Sequence, residues 1–197
     1  MTGSLAYRRD PAAIIRGDVP VKYLRLIPHV PGDSILEIGS AEGVLSLLLA
    51  REDHGNKSMV IGLERDPERH ESALALEQEW AGKFRFKAMP VFISGDIADN
   101  LHLLERVETL VAVRMVYYLG DKLDKAFAEV AKHVPNVVLC GNKNRARRWR
   151  QGVFEETKAD NYYASREGMT DLLKRHGYRI VSEVTEGDEI VVGRKDG

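Results

Sequence analysis

The sequence predicts an α/β protein whose doubly wound, mostly parallel sheet ends in an antiparallel hairpin. Three observations carry that prediction: short apolar runs alternate with helical patterns, a glycine-spaced turn follows the first run, and two strand patterns close the chain. The runs SILEIG (34–39), SMVIGLE (58–64), ETLVAVR (108–114) and NVVLCG (136–141) are β-branched or apolar almost throughout. Strands buried on both faces of a parallel sheet have that composition. RFKAMPVFIS (85–94) is expected to contain the third strand, with Pro90 blurring its ends.

Helical patterns fill the intervals at 42–52, 67–80 and 121–133. Asp66-Pro67 opens the second, a capping carboxylate followed by a residue whose dihedral suits the first turn. Asp121 is expected to open the third. Ahead of the first strand, Asp18 and Pro20 start a short helix, VKYLRLI, expected to stop at Pro28. Near the end, GMTDLLKRHGY reads as a helix with its stop at Gly177. RIVSEV and EIVVGRK then form two strands around a Glu-Gly-Asp turn.

At 197 residues, with 44% hydrophobic and 30% charged residues, the chain suits one globular domain with a full core. A formal charge of −1 gives no global attraction to nucleic acid or anionic membrane, so any such attraction must be local. Cys140 is the only cysteine, which excludes a disulfide framework and a cysteine metal cluster. The six histidines show no paired metal spacing, and no metal is expected. The start, MTGSLAYRRDP, lacks the apolar run of a secretion signal, and no stretch approaches about 18 apolar residues. The expected location is cytoplasmic.

The turn in LEIGSAEGVLSLLLA (36–50) raises the functional question. A strand, a glycine turn and a helix are expected to present free backbone N–H groups and a positive helix end to a ligand. The dinucleotide pattern G-x-G-x-x-G requires glycines where Ala41 and Val44 stand. A plain βα connection without ligand is the bland alternative. The spacing acidic-x-G-x-(G/A)-x-G does fit, as EIGSAEG, with Glu37, Gly39, Ala41 and Gly43 at its fixed positions.

On that motif, together with Glu64 in VIGLERDPERH and Asp96 in ISGDIADN, the chain from about Asp33 onward resembles the class I S-adenosylmethionine-dependent methyltransferases. The resemblance implies a Rossmann-like, seven-stranded sheet and S-adenosylmethionine as cofactor. It also implies that the turn of Glu37, Gly39, Ser40, Ala41 and Gly43 passes under the cofactor's methionine part. Glu64, ending the second strand, matches the acidic residue that holds both ribose hydroxyls; a carboxylate offers acceptors and no donor, which suits a vicinal diol. Arg65 is next and either lies along the adenine ring or is a solvated arginine, while Asp66 is assigned to capping. Asp96 matches the acidic residue at the adenine amino group, with Ile97 as apolar wall and Asp99 as the alternative carboxylate. At the fourth strand end Arg114-Met115 replaces the usual small or acidic residue, and Arg114 is grouped with the cofactor contacts. Tyr117 and Tyr118 stand where many relatives have a histidine; they are the candidate catalytic pair, as a substrate wall or a hydroxyl partner, against the alternative that one packs in the core.

The implied organisation is a single methyltransferase domain over 1–197. Residues 1–32 form an N-terminal helical lid, 33–141 the cofactor half, and 142–197 the substrate side with the hairpin. The segment GNKNRARRWRQGVF (141–154) carries five cations, Lys143, Arg145, Arg147, Arg148 and Arg150, with Trp149 among them and no acid before Glu155. Asn142, Lys143, Arg145, Arg148 and Trp149, with Tyr163 of NYYAS (161–165), are the candidate acceptor-binding residues. They suit a phosphate, a carboxylate, or an RNA backbone with a stacked base, against a solvated basic helix balanced by Glu155 and Glu156. NYYAS and the N-terminal AYRRD are expected to close over the same mouth.

Methyl transfer from a sulfonium loses charge in the transition state, so alignment in a dry site is the main task. A base is needed only where the acceptor atom must lose a proton. No Asn/Asp-Pro-Pro-aromatic stretch comes after the fourth strand, against adenine- or cytosine-amino methylation by the usual route. Cys140 lies within a strand run, as a core thiol rather than a nucleophile. The expected enzyme methylates a small or conjugated, anionic acceptor. A tRNA or rRNA methyltransferase and a non-catalytic cofactor-binding partner subunit are the rivals; no membrane partner is expected, and the oligomeric state stays open.

Overall fold

The computed structural model describes residues 16, 19–152, 160–185 and 187–196. They build a seven-stranded sheet in the order β3-β2-β1-β4-β5-β7-β6. The strands are β1 (Ser34–Ile38), β2 (Met59–Glu64), β3 (Val91–Ser94), β4 (Thr109–Val113), β5 (Asn136–Cys140), β6 (Arg179–Val184) and β7 (Ile190–Arg194). The first five pair in parallel, while β7 runs antiparallel to both β5 and β6. The doubly wound sheet with its closing hairpin is thus present, and each strand run other than the third ends within a residue or two of its expected limits.

Burial on both faces explains the apolar strands. Along β4, Leu110 and Ala112 enter the larger core with Phe127, Leu172 and Tyr178, whereas Val111 between them enters the second core with Leu26, Leu45 and Val138. Six α-helices are described: α1 (Val21–Leu26), α2 (Val44–Ala50), α3 (Pro67–Ala81), α4 (Leu123–His133), α5 (Lys143–Arg150) and α6 (Arg166–Arg175). Asp66 caps α3 as expected, accepting from the backbone N–H of Glu68 and Arg69. Beyond α6, Gly177 adopts a left-handed φ of 78°, and the Tyr178 N–H returns to the Leu173 carbonyl. Among the described residues no helix is long and apolar enough to cross a membrane.

Several boundaries differ from expectation for local reasons. The 42–52 helix is shortened to α2: Gly43 takes a left-handed φ of 75° before it, and Arg51 after it turns extended and pairs with Phe86 in an isolated bridge. Asp121 does not cap α4. Gly120–Lys122 is a 3-10 turn, and Lys122, without a side-chain capping bond, precedes the helix. The helix before the first strand does end ahead of Pro28, at Leu26, and Ile27–His29 follows as a 3-10 turn with Pro28 in its first turn, where no N–H is needed. The third strand occupies only the part after Pro90. Asp18, AYRRD, Glu155 and Glu156 lie outside the described residues.

The parallel crossovers change direction between β1 and β4. In sheets of this kind ligands bind beyond the carboxyl ends of the strands at that switch. The glycine turn leaves β1 there.

Candidate functional site

The turn is built from backbone conformations that favour glycine, and four of its N–H groups are bonded within the protein. Gly39, Ala41 and Gly43 have φ of 70°, 51° and 75°. The Gly39 and Ser40 N–H groups donate to the Leu63 carbonyl at 2.8 and 3.1 Å, and the Gly43 N–H donates to the Ser40 carbonyl at 2.9 Å. The Ala41 N–H donates to Oε2 of Glu64 at 2.8 Å. The expectation of donors facing a ligand is therefore corrected at these four positions: three are consumed in stitching the turn to β2 and the fourth within the turn itself. Gly43 is further constrained by packing, because a Cβ there would lie 2.7 Å from Cζ of Phe92 and 2.9 Å from Cβ of Ala73.

Acceptors are what the turn offers instead. Glu64 is buried at the end of β2, and its Oε1 accepts from the Asp66 N–H at 3.0 Å while Oε2 takes the Ala41 N–H. Each oxygen keeps a second lone pair. Glu37 is 2% exposed in mid-sheet and accepts from Oγ of Ser46 at 2.6 Å. Burial pushes the Glu37 carboxyl up to about 8, against the opposing Ser46 hydrogen bond and the Lys22 charge. Ser40 is 4% exposed, and its Oγ has no hydrogen-bond partner among the described residues. Ser46 is a site residue that sequence reasoning missed, although its position three residues after Gly43 on a buried helix carried the signal.

Beyond β2 and β3, Asp96 caps a 3-10 turn (Ile97–Asp99), accepting from the Ala98 N–H at 3.0 Å. Arg65 and Lys122 approach its carboxylate at 4.0 and 3.9 Å, so Arg65 and Asp96 are brought together. Ile97 is buried in the larger core and offers only an edge to this region.

At the end of β4 the chain turns through Arg114, whose φ is 56° and whose N–H donates to the Cys140 carbonyl at 2.7 Å. The Arg114 guanidinium pairs with Asp188, just before β7. Met115 instead crosses the turn, its Cβ 3.1 Å from where a Cβ on Gly39 would sit. Tyr117 is buried against Ala164 and Tyr163. Tyr118 is exposed, its ring 4.6 Å from that of Tyr117, and its hydroxyl accepts from Nη2 of Arg145 at 3.2 Å.

The basic segment is α5, and its cations are less free than the sequence suggests. Asn142 caps it, accepting from the N–H groups of Asn144 and Arg145. Arg145 lies over both tyrosine rings and donates to Oδ1 of Asn161 at 2.9 Å. Arg150 donates to Glu167 and Glu189, both at 2.8 Å, and these carboxylates hold its guanidinium above its ordinary range. The acids that pair with Arg150 thus come from α6 and the hairpin. Trp149 stacks obliquely on Tyr162, ring centroids 5.0 Å apart. Tyr163 accepts from Arg175 at 3.0 Å. Lys143 faces away from these contacts into a cavity of about 200 Å³, lined also by Val21, Lys22, Arg25, Gly187, Asp188 and Ile190. Lys22, Arg25 and Asp188 carried no motif in the sequence; only the packing of α1 against the hairpin turn gathers them.

No protein-family model matches the chain, and no curated protein matches it by sequence. Solved structures match in fold. Magnesium protoporphyrin IX methyltransferase from Synechocystis PCC 6803, with S-adenosylhomocysteine bound, is 14% identical with a TM-score of 0.65, over 95% of this chain and 93% of that one. The methyltransferase domain of bacterial CtHen1-C is 12% identical with a TM-score of 0.65, over 90% of this chain and 100% of that one. The N-terminal domain of EvdMO1 with S-adenosylhomocysteine bound is 18% identical with a TM-score of 0.57, over 96% and 82%. The chain has the fold of the class I methyltransferases.

Proposed function

We propose that the protein is an S-adenosylmethionine-dependent methyltransferase acting on a small or conjugated, anionic acceptor. The observation that carries this reading is the chemistry of the turn. Its N–H groups at residues 39–41 and 43 are spent internally, while Glu64, Glu37 and the unpartnered Ser40 hydroxyl face the switch point. A pyrophosphate needs donors there; a ribose diol and a cationic amino-acid tail need acceptors. The fold neighbours that hold the demethylated cofactor support the same reading.

In this reading S-adenosylmethionine supplies an electrophilic methyl group on a sulfonium. Glu64 accepts the ribose hydroxyls on the lone pairs left by Ala41 and Asp66. Glu37 and Ser40 hold the methionine end above Gly39, Ala41 and Gly43, with Met115 across the turn. Asp96 and Arg65, paired at the end of β3, flank the adenine beside Ile97. Arg114 is reassigned to the acceptor side on the strength of its pairing with Asp188. Tyr118, held by Arg145, is the exposed hydroxyl beyond β4, and Tyr117 backs it. Alignment and exclusion of water supply most of the acceleration.

RNA is the weaker acceptor reading, because Arg145 and Arg150 are engaged within the fold and Trp149 is stacked on Tyr162. Incubation with cofactor labelled in the methyl group and pools of metabolites or RNA tests the proposal. Label is expected in a small anionic acceptor. Label confined to RNA would replace the acceptor class, and no transfer from cofactor-loaded protein to either pool would favour a binding subunit.

A further inference from the structure

We infer that Arg145 is a positioning residue that fixes the Tyr118 hydroxyl as a hydrogen-bond donor to the acceptor, so that the site selects a carboxylate, phosphate or carbonyl oxygen. This inference rests on the methyltransferase reading and says what its acceptor presents beyond β4. Nη2 of Arg145 meets the Tyr118 hydroxyl oxygen at 3.2 Å, and Nη1 donates to Oδ1 of Asn161 at 2.9 Å. A guanidinium carries donors and no acceptor, which settles the direction of the first bond: the tyrosine oxygen accepts, and its own O–H points elsewhere. Among the described residues no acceptor takes that O–H, and Tyr118 is 47% exposed. A hydroxyl that accepts from a cation also becomes a stronger donor, because successive hydrogen bonds polarise one another. Tyr118 thus offers the acceptor a hydrogen bond rather than taking a proton from it.

Three neighbours hold the guanidinium in place. It lies over the rings of Tyr117 and Tyr118, 5.2 and 5.3 Å from their centroids. The third, Asn161, is 8% exposed and opens a 3-10 turn (Asn161–Ala164). That turn is docked at both ends: the Asp160 N–H donates to the Tyr117 carbonyl at 2.9 Å, and the Asn142 N–H donates to the Ala164 carbonyl at 3.1 Å. The approach is close enough that a Cβ on Gly141 would lie 2.2 Å from the Ala164 carbonyl oxygen. A continuous path of contacts therefore runs from this turn through Arg145 to Tyr118. Tyr118 itself belongs to the 3-10 turn that follows β4, and its N–H donates to the carbonyl of Met115, the residue that crosses Gly39. The hydroxyl is thereby tied to the loop that covers the glycine turn, at the carboxyl end of the sheet. Both hydrogen-bond acceptors of Arg145 among the described residues are neutral, unlike those of Arg150. A site built to give a hydrogen bond discriminates strongly against a ligand that lacks the matching acceptor atom. Arg145, expected from the sequence to touch the acceptor, acts on it through Tyr118.

Acetate is the probe, titrated at constant ionic strength into the full chain loaded with S-adenosylhomocysteine and isotopically labelled at tyrosine Cζ for magnetic resonance. Tyr118→Phe assigns the Tyr118 signal by its loss. Acetate is expected to shift that signal saturably, and methylammonium, which can only donate, is expected not to. Arg145→Gln is expected to weaken the apparent acetate affinity by about fivefold. Arg145→Lys, which keeps the charge and loses the planar fork, is expected to weaken it nearly as much. Arg147→Gln, exposed on the same helix, is expected to leave it unchanged. Affinity for S-adenosylhomocysteine, expected to be equal in all variants, reports that they fold. No acetate response, an equal one in wild type and both Arg145 variants, or full rescue by lysine would overturn the positioning role. A shift produced by methylammonium, or a phenolate signal at neutral pH, would overturn the donor role. Failure to bind S-adenosylhomocysteine would defeat the methyltransferase reading, while acetate titration of the unloaded chain still tests the Tyr118 donor.

Discussion

Replacing Glu37 with glutamine should make the protein more stable above neutral pH and remove most of a steep pH dependence. The carboxyl is 2% exposed and its main partner is one hydroxyl, so burial dominates and pushes it up to about 8. In the unfolded chain it returns to the ordinary value near 4.5. Between those two values the folded state holds a proton that the unfolded state has lost. Stability is then fully present below the unfolded value and falls as pH rises toward the folded one, by about 1.4 kcal/mol per pH unit. Between pH 6 and pH 8 that is a loss of about 2–3 kcal/mol from this one group. Glu37→Gln keeps the size and an oxygen for Ser46 but does not titrate. Urea denaturation at several pH values should show the wild-type midpoint falling across this window and the variant's staying nearly level. Parallel profiles for the two proteins would refute the reasoning. A cationic ligand beside Glu37 favours its charged form, so S-adenosylhomocysteine should bind with proton release and tighten as pH rises toward 8.

Glu64→Ala should weaken S-adenosylhomocysteine roughly tenfold to a hundredfold in calorimetry, the loss of two charge-assisted hydrogen bonds worth about 1.5–3 kcal/mol. Gly43→Ala combines a left-handed backbone with a Cβ driven into Phe92 and Ala73, and should cost on the order of 2–4 kcal/mol in chemical denaturation. Arg150→Met should lower stability by about 1 kcal/mol while leaving S-adenosylhomocysteine affinity unchanged, since this arginine serves Glu167 and Glu189 rather than a ligand. Cys140, buried and with its thiol pushed up to about 12, should resist iodoacetamide at neutral pH in the folded protein and react on unfolding.

The sheet was legible because burial on two faces demands the composition that β1, β2, β4 and β5 show. The closing hairpin was legible from two strand patterns separated by a glycine turn. Asp66-Pro67 marked a helix start because both residues act locally. Asp121 misled because Gly120 beside it diverts the chain into a 3-10 turn, a choice that depends on backbone handedness and not on capping chemistry. At the site, the spacing of Glu37, Gly39 and Gly43 announced the turn, yet the fate of its N–H groups depended on β2 lying alongside with the Leu63 carbonyl in reach. In the basic run of α5, the partners of Arg150 were out of sight for a related reason. Glu167 and Glu189, which balance Arg150, are 17 and 39 residues away in sequence. Long-range pairing also decided Arg114, whose partner Asp188 stands 74 residues later.

The central claim is that the acceptor-rich turn binds a sulfur-bearing adenosyl cofactor and not a dinucleotide. Calorimetric titration of the full chain with S-adenosylhomocysteine, S-adenosylmethionine and NAD tests it most directly. The account predicts one-to-one binding of both sulfur compounds and no heat from NAD. Binding of NAD, with no response to either sulfur compound, would contradict it.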